Sequence, residues 1–136
     1  MTTLIVTLPP PPTVLNPNRT SHWRTKAKAV KQYRNDAHIA AYTALNEMDR
    51  WHSNRPRWKQ AVMTPKFYFR DRRRRDRDNF QAALKAACDG LVDAGVLIDD
   101  SGLATMPAEF DIDGNDPRVE LHLRELQEGM PYASND

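Results

Sequence analysis

The sequence contains one cysteine, Cys88, in 136 residues. A single thiol excludes an intramolecular disulfide and any zinc site built from several cysteines. Long apolar runs are also missing, since no stretch approaches the ~20 apolar residues of a membrane-spanning helix. Residues 4–8 are too few for the hydrophobic region of a secretion signal, and no basic residue precedes them. These absences favour a cytoplasmic protein with no membrane partner.

Length and composition favour one globular domain. The chain is 40% hydrophobic and 28% charged, which is ordinary for a folded protein. Its 136 residues match the usual size of a single domain, about 100–200 residues. We therefore predict one domain over residues 1–136. The segment 127–136 has few apolar side chains and is expected to be a poorly ordered tail.

Charge is divided unevenly along the chain. Residues 1–88 carry 18 Lys and Arg against 6 Asp and Glu, whereas residues 89–136 carry 2 against 12. The two parts therefore have net charges of +12 and −10, although the whole chain has only +2. A basic part suits a polyanion such as DNA, and an acidic part can supply metal ligands or cover a basic surface. Two charged faces that neutralise each other across a fold or a dimer would explain the same counts.

The spacing of apolar residues predicts alternating strands and helices. Residues 3–8 alternate as in a strand and end at a run of prolines, which cannot donate to a sheet. Helical spacing follows over residues 25–48. Residues 60–70 predict a second strand, in which Pro65 favours an edge position or a bulge. An apolar stripe over residues 78–94 predicts a second helix.

The ends of the second helix and two later strands complete this prediction. Asp78 or Asn79 suits the N-cap of the helix, and Gly95 suits its C-terminal glycine. Residues 103–113 and 117–124 predict two strands joined by a turn. The resulting order of elements favours the α/β (α+β) class, with two helices on a small mixed sheet in a single domain.

The least common stretch of the sequence is residues 70–79, with six arginines and three aspartates. Such a run is most often a solvated surface. In extended backbone, however, Asp76 and Asp78 project to the same face. Two carboxylates on one face can share Mg²⁺, which prefers oxygen ligands and supports phosphodiester hydrolysis. Metal binding or pairing with the arginines would explain these two acids.

Two further positions bear on the same chemistry. Lys85 lies two helical turns after Asp78, so it could share a face with the start of the helix and stabilise a charged transition state. The alternative is an exposed lysine that pairs with Asp89. Asp99 and Asp100 form a second acidic pair, which is also common in ordinary turns. In extended backbone these neighbours would point in opposite directions, so only one would reach a metal.

A second basic stretch, residues 19–34, contains no acidic residue. Its members Arg24, Lys26 and Lys28 are candidates for phosphate contacts, and an aromatic ring such as Trp23 can stack on an unpaired base. The alternative is that the aromatic residues belong to the core or to an interface. The four histidines have no metal-ligand spacing and are assigned no role.

Several residues recur in an order that is similar to a known family. Asp-Arg-Arg-Arg-Arg-Asp-Arg-Asp-Asn occupies 71–79, followed by Lys-Ala-Ala-Cys-Asp-Gly-Leu at 85–91, Ala-Gly at 94–95 and Asp-Asp at 99–100. This order closely resembles the central motif of the RusA family of Holliday junction resolvases. The opening strand, the loop after it and the final strand are also similar, so the resemblance covers nearly the whole chain.

The resemblance implies a RusA-like fold, a function and its residues. Asp76, Asp78 and Asp100 would be catalytic acids and metal ligands, and Lys85 the basic catalytic residue. The family consists of homodimers, often phage-encoded, that nick two strands of a four-way DNA junction symmetrically with Mg²⁺; we expect Mn²⁺ to substitute. On charge and position, the expected DNA-binding residues are Arg72, Arg73, Arg74, Arg75, Arg77, Arg24, Lys26 and Lys28.

One departure from the family concerns Lys85. Five residues separate it from Asn79, about three more than in the best-known form of the motif. Three residues turn a helix by about 300°, so Lys85 would lie one turn farther along on nearly the same side.

Three other functions remain open from the sequence. The chain could be a Mg²⁺-dependent nuclease that cuts other branched DNA, such as flaps or forks. It could bind junctions without cutting them, with a structural acidic cluster. A small oligomeric interaction protein with complementary charged parts would need no nucleic acid.

Overall fold

A computed structural model describes residues 3–15, 22–49, 57–72 and 80–126. The expected tail over 127–136 lies outside these ranges. The helices and strands, in chain order, are β1 (Thr3–Leu8), α1 (Trp23–Asp49), β2 (Ala61–Phe69), α2 (Gln81–Asp93), β3 (Leu103–Thr105), β4 (Glu109–Ile112) and β5 (Arg118–Glu125). Short 3₁₀ turns occupy Thr13–Leu15 and Asp100–Gly102.

The strands form one mixed sheet in the order β1-β5-β2, with β3 and β4 both paired to the far edge of β2. Strand β5 is antiparallel to β1 and to β2, whereas β3 and β4 run parallel to β2. The two helices and this five-stranded sheet confirm the predicted α+β class. None of the helices in the described ranges combines the length and apolar content that a membrane-spanning segment needs.

The core lies between one face of the sheet and the two helices. Alternate residues of β1 and β5 are buried, as the period of two in a strand requires. These residues pack with α1 side chains such as Tyr33 and Ala37 and with α2 side chains such as Leu91. The Tyr33 hydroxyl also donates a hydrogen bond to the Pro9 carbonyl at 2.9 Å, which ties α1 to the end of β1.

Close contact between the two helices depends on Gly90. A Cβ at this position would lie 2.4 Å from the Arg34 carbonyl oxygen and 2.6 Å from the Ala37 Cβ. The helices therefore approach each other more closely than any side chain at position 90 allows. Glycine ends α2 as predicted, because Gly95 has φ of 86°, a conformation that favours glycine.

The predicted strand 103–113 is two strands, which corrects the sequence prediction. Met63 pairs with Thr105, and Lys66 pairs with Glu109. An advance of three residues along β2 therefore lies opposite an advance of four residues along this segment. The extra residue falls at Met106–Ala108, where Pro107 has no N–H to donate. The result is a bulge that separates β3 from β4.

Strand β2 is central in the sheet, so the edge position suggested by Pro65 is wrong. The carbonyls of Met63 and Phe69 accept hydrogen bonds from Met106 and Asp113 on the β3 and β4 side, each at 2.8 Å. Backbone groups alternate between the two edges of a strand, so the Pro65 nitrogen faces this same side. It lies where pairing is interrupted, which explains how a central strand accommodates proline.

The other face of the sheet carries a network of ion pairs around Arg118. Its guanidinium contacts the Asp113 carboxylate at 2.7 Å and the Glu120 carboxylate at 2.8 Å, and it lies 3.9 Å from the centre of the Tyr68 ring. His122 adds a 2.9 Å contact to Glu120. Some of the acidic residues of the carboxy-terminal part therefore have a structural partner in this network.

Candidate metal and nucleic-acid site

Part of the predicted site falls outside the described ranges. Asp76 and Asp78 lie there, as do four of the predicted DNA-binding residues, Arg73, Arg74, Arg75 and Arg77. Their roles stay predictions. The described ranges contain Arg72, Lys85 and Asp100 and the three basic residues of α1. Arg72 is exposed, three residues beyond the end of β2.

Four phenylalanines fix the start of α2 against the sheet. The ring of Phe80 lies 4.6 Å from that of Phe67, 5.6 Å from that of Phe69 and 6.1 Å from that of Phe110, measured between centroids. The carboxyl ends of β2 and β4 therefore meet the start of α2 in one apolar cluster. The sequence indicated Phe67 and Phe69 as strand residues and Phe80 as part of an apolar stripe, but no local pattern connects them to Phe110.

Helix α2 begins at Gln81, and the residue before it, Phe80, already has helical backbone angles, with φ of −95° and ψ of 0°. The predicted N-caps Asp78 and Asn79 lie outside the described ranges. Packing in the phenylalanine cluster holds this end of the helix against the sheet. The first turn of α2 also has no acidic residue to offset the positive end of the helix dipole.

The 3₁₀ turn that begins at Asp100 packs against α2, the helix that carries Lys85. The pKa of the Cys88 thiol on this helix is raised to about 11, mainly by burial and also by the negative charges of Asp89 and Asp100, whereas the positive charge of Lys85 lowers it. Lys85 lies one helical turn before Cys88 and is exposed. Lys85 and Asp100 are therefore both close enough to Cys88 for their charges to act on its thiol.

The alternative role of Lys85 as a partner of Asp89 has no support from the geometry. Both residues lie in the described ranges, and no ion pair joins them there. Elsewhere in the same ranges, Lys66 does pair with Glu109, at 3.6 Å. Side chains on a helix lean toward its N-terminus, so the Lys85 side chain is expected to lean toward the start of α2.

The adjacent acids Asp99 and Asp100 do not point apart. Asp99 is extended, with φ of −154° and ψ of 151°, but Asp100 begins a 3₁₀ turn. Hydrogen bonds from the Ser101 hydroxyl, at 3.0 Å, and from Asp100 lower the pKa of Asp99. We expected only one of these two carboxylates to face a metal, on the condition that both residues are extended. Because Asp100 is not extended, that restriction does not hold.

Two exposed carboxyl groups close together suit a hard cation such as Mg²⁺. Among the described residues, no group of three or more His, Cys, Asp or Glu side chains is arranged to hold a metal ion. Asp99 and Asp100 alone would therefore leave a Mg²⁺ ion bound largely by water. A tighter site requires further ligands, and Asp76 and Asp78 are the candidates that the sequence offers.

The predicted basic residues of α1 lie on its first two turns. Arg24 and Lys28 are exposed, and Lys26 is half-buried. Between His22 and Gln32 no residue is buried, and the first α1 side chain to pack against the core is that of Ala29. Residues 22–28 therefore extend beyond the core, with Arg24 and Lys28 accessible.

Comparisons with known proteins add no assignment: no family model matches the chain, and no curated protein is significantly similar to it.

Proposed function

We propose that this protein is a Mg²⁺-dependent endonuclease that acts on branched DNA, with four-way junctions as its preferred substrate and Mn²⁺ as a substitute metal. The observation that supports the proposal is that the 3₁₀ turn carrying Asp100 packs against α2, the helix that carries Lys85; the charges of both residues act on the Cys88 thiol of that helix. The resemblance of residues 71–100 to the RusA family motif supports the choice of substrate.

Chain connectivity ties the remaining acids to the same helix. Asp78 precedes Phe80 by two residues, so the two Cα atoms are at most about 7 Å apart. Lys85 lies five residues after Phe80, about 7.5 Å along the helix axis, with its side chain directed back. The proposal therefore requires Asp78 and the Lys85 ammonium group to face each other near the start of α2, with Asp100 reaching them from the 3₁₀ turn that packs on this helix.

The carboxylates and the lysine would have different roles in phosphodiester hydrolysis. Asp76, Asp78 and Asp100 would hold Mg²⁺, which when bound polarises a phosphoryl oxygen and activates water. The Lys85 ammonium group would stabilise negative charge that develops on the phosphate. Arg72 and the arginines that follow it would contact neighbouring phosphates and keep the strand in register.

A homodimer suits this substrate. A four-way junction has near two-fold symmetry, so two copies related by a two-fold axis would each present one site to one of two equivalent strands. Symmetric paired nicks would follow from one bound complex. Sedimentation of the purified protein with and without junction DNA measures this directly.

The deciding experiment incubates the protein with a synthetic four-way junction and Mg²⁺. A linear duplex of the same sequence and the Asp78→Asn variant serve as controls. We expect symmetric nicks in the junction, little cutting of the duplex, and loss of cutting with retained binding in the variant, since asparagine removes a ligand charge but little volume. Equal cutting of flaps or forks would assign a broader branched substrate. Binding without cutting in both Mg²⁺ and Mn²⁺ would show a non-catalytic protein.

A further inference from the structure

The most exposed large apolar side chain of the described chain stands at the start of α1. Trp23 is 67% exposed, against 58% for Ile39 and 47% for Tyr42 on the same helix. It is the first residue of α1, and the helix around it lies beyond the core. Its indole is therefore positioned to contact a ligand.

Two neighbours present flat or charged groups to the same indole. The His22 ring stacks on it with centroids 5.8 Å apart and an angle of 27° between the planes. The guanidinium carbon of Arg24 lies 5.3 Å from the centroid of the Trp23 ring. Both contacts restrict the indole while leaving most of it exposed, which lowers the entropy lost when a flat ligand stacks on it.

A row of cations continues from this point along the helix. Arg24, Lys28 and Lys31 are exposed and spaced at i, i+4 and i+7, so they share one face of α1. From Trp23 to Lys31 the axial distance is about 12 Å. The row thus matches a short length of nucleic-acid backbone beside a single aromatic ring.

The same row opposes the stability of the helix that carries it. Like charges four residues apart repel, and cations near the N-terminus oppose the helix dipole. The first turn of α1 has no acidic residue to offset either effect. A bound polyanion removes both costs, so the arrangement favours a phosphate-rich ligand over an apolar one.

We propose that the start of α1 is a binding site for an unpaired stretch of a DNA strand, in which Trp23 stacks on a base and Arg24, Lys28 and Lys31 contact its phosphates. The site rests on the proposed function and specifies how a branched substrate is distinguished from duplex. Bases in an intact duplex are stacked on one another and cannot receive the indole, whereas bases at a branch point can be unstacked.

The test measures binding in EDTA, so that no cutting occurs. Fluorescence anisotropy with labelled single-stranded dT12, a linear duplex and a four-way junction compares the full-length protein with three variants. Trp23→Ala removes the ring, Trp23→Phe keeps a smaller ring, and Ile39→Ala is the control, an exposed apolar residue of the same helix. Circular dichroism checks that each variant is folded.

We expect Trp23→Ala to weaken binding of dT12 and of the junction by roughly 5- to 100-fold, with little change for the duplex. Trp23→Phe should recover part of this loss, and Ile39→Ala should match the wild type. Tryptophan fluorescence should fall when dT12 binds, and the fall should disappear in Trp23→Phe. Lys28→Ala should make the dependence of log K on log salt for dT12 shallower by about 0.7.

Three other outcomes would lead to different conclusions about the site and the nuclease activity. Wild-type affinity for dT12 and the junction in folded Trp23→Ala overturns this site, even if the junction is cut with Mg²⁺. A changed sedimentation mass in that variant, with unchanged DNA affinity, shows that a second copy covers the indole and also overturns it. Loss of dT12 binding in Trp23→Ala, without cutting by the wild type, supports the site and contradicts the nuclease proposal.

Discussion

Arg34 of α1 donates two hydrogen bonds to Asp93 of α2, from Nε to Oδ2 at 2.6 Å and from Nη2 to Oδ1 at 2.8 Å. The paired geometry fixes the direction of both side chains, which a single contact would not do. This ion pair lies beside the close approach at Gly90 and joins the middle of α1 to the carboxy-terminal end of α2.

The Arg34–Asp93 pair predicts a loss of stability in acid. Its hydrogen bond with Arg34 lowers the pKa of Asp93 below the ordinary value of about 3.9. The stabilisation is therefore complete above that value and is lost as pH falls through the lowered pKa. Asp93→Asn should reduce Tm slightly at pH 7 and converge with the wild type as the pH approaches 2. A constant difference in Tm over this range would show that the pair is not its source.

Two glycine substitutions should destabilise the protein for different reasons. Gly90→Ala places a Cβ 2.4 Å from a backbone oxygen, and overpacking costs about 1–3 kcal/mol although alanine is the better helix former. At Gly95 no atom lies within 4 Å of the added Cβ, so the positive φ is the main cost of Gly95→Ala, about 1–2 kcal/mol. Urea unfolding measures both. Gly95→Asn should recover part of the loss, because asparagine tolerates this conformation, whereas larger residues at position 90 should not.

The thiol of Cys88 should report on the candidate metal site. With a pKa of about 11, it should alkylate slowly at pH 8 compared with the unfolded chain. Asp100→Asn should lower this pKa and speed alkylation, whereas Lys85→Ala should raise it. The pH dependence of iodoacetamide labelling, followed by mass spectrometry, measures both shifts. Mg²⁺ bound at Asp100 should act as Asp100→Asn does. An unchanged labelling profile in either variant would show that the charge of that residue does not reach the thiol.

The arginines after β2 should set the salt dependence of DNA binding. Replacing Arg73 and Arg74 with alanine should weaken binding to junction and duplex alike. It should also make the slope of log K against log salt shallower by about 0.9 for each lost phosphate contact. Lys66→Ala, which removes a cation already paired with Glu109, is the matched control. An unchanged slope in the double variant would place these arginines away from phosphate.

Local pattern predicted most of the regular elements. The alternation in residues 3–8 and the prolines after them give the bounds of β1, and helical spacing places α1 within two residues at each end. In both elements the amphipathic pattern is regular over the whole length of the element and then ends. Their position in the sheet was not predictable in the same way, because strand order depends on pairs such as Ile5 with His122 that are far apart in sequence.

The errors arose where tertiary contacts replaced local preference. The predicted strand 103–113 is interrupted at Met106–Ala108, because its register against β2 shifts there. Proline at 65 suggested an edge or a bulge: the edge position was wrong, and a bulge lies opposite Pro65, in the segment between β3 and β4. The candidate site was predicted from residue types, their spacing and the family resemblance, whereas the packing of the turn at Asp100 against α2 became visible only in three dimensions.

The interruption at Pro107 also affects how the molecule behaves among its own copies. Among the described strands, β3 and β4 together form one edge of the sheet, and neither is longer than four residues. A long, regular edge strand with unpaired backbone N–H groups can pair with a strand of another chain, and fibres can grow in this way. The bulge, Pro107 and the negative charges of Glu109 and Asp111 make this edge a poor partner for a further strand. A chain with Pro107 and Ala108 replaced by a single valine would have an uninterrupted edge strand and should aggregate at lower concentration.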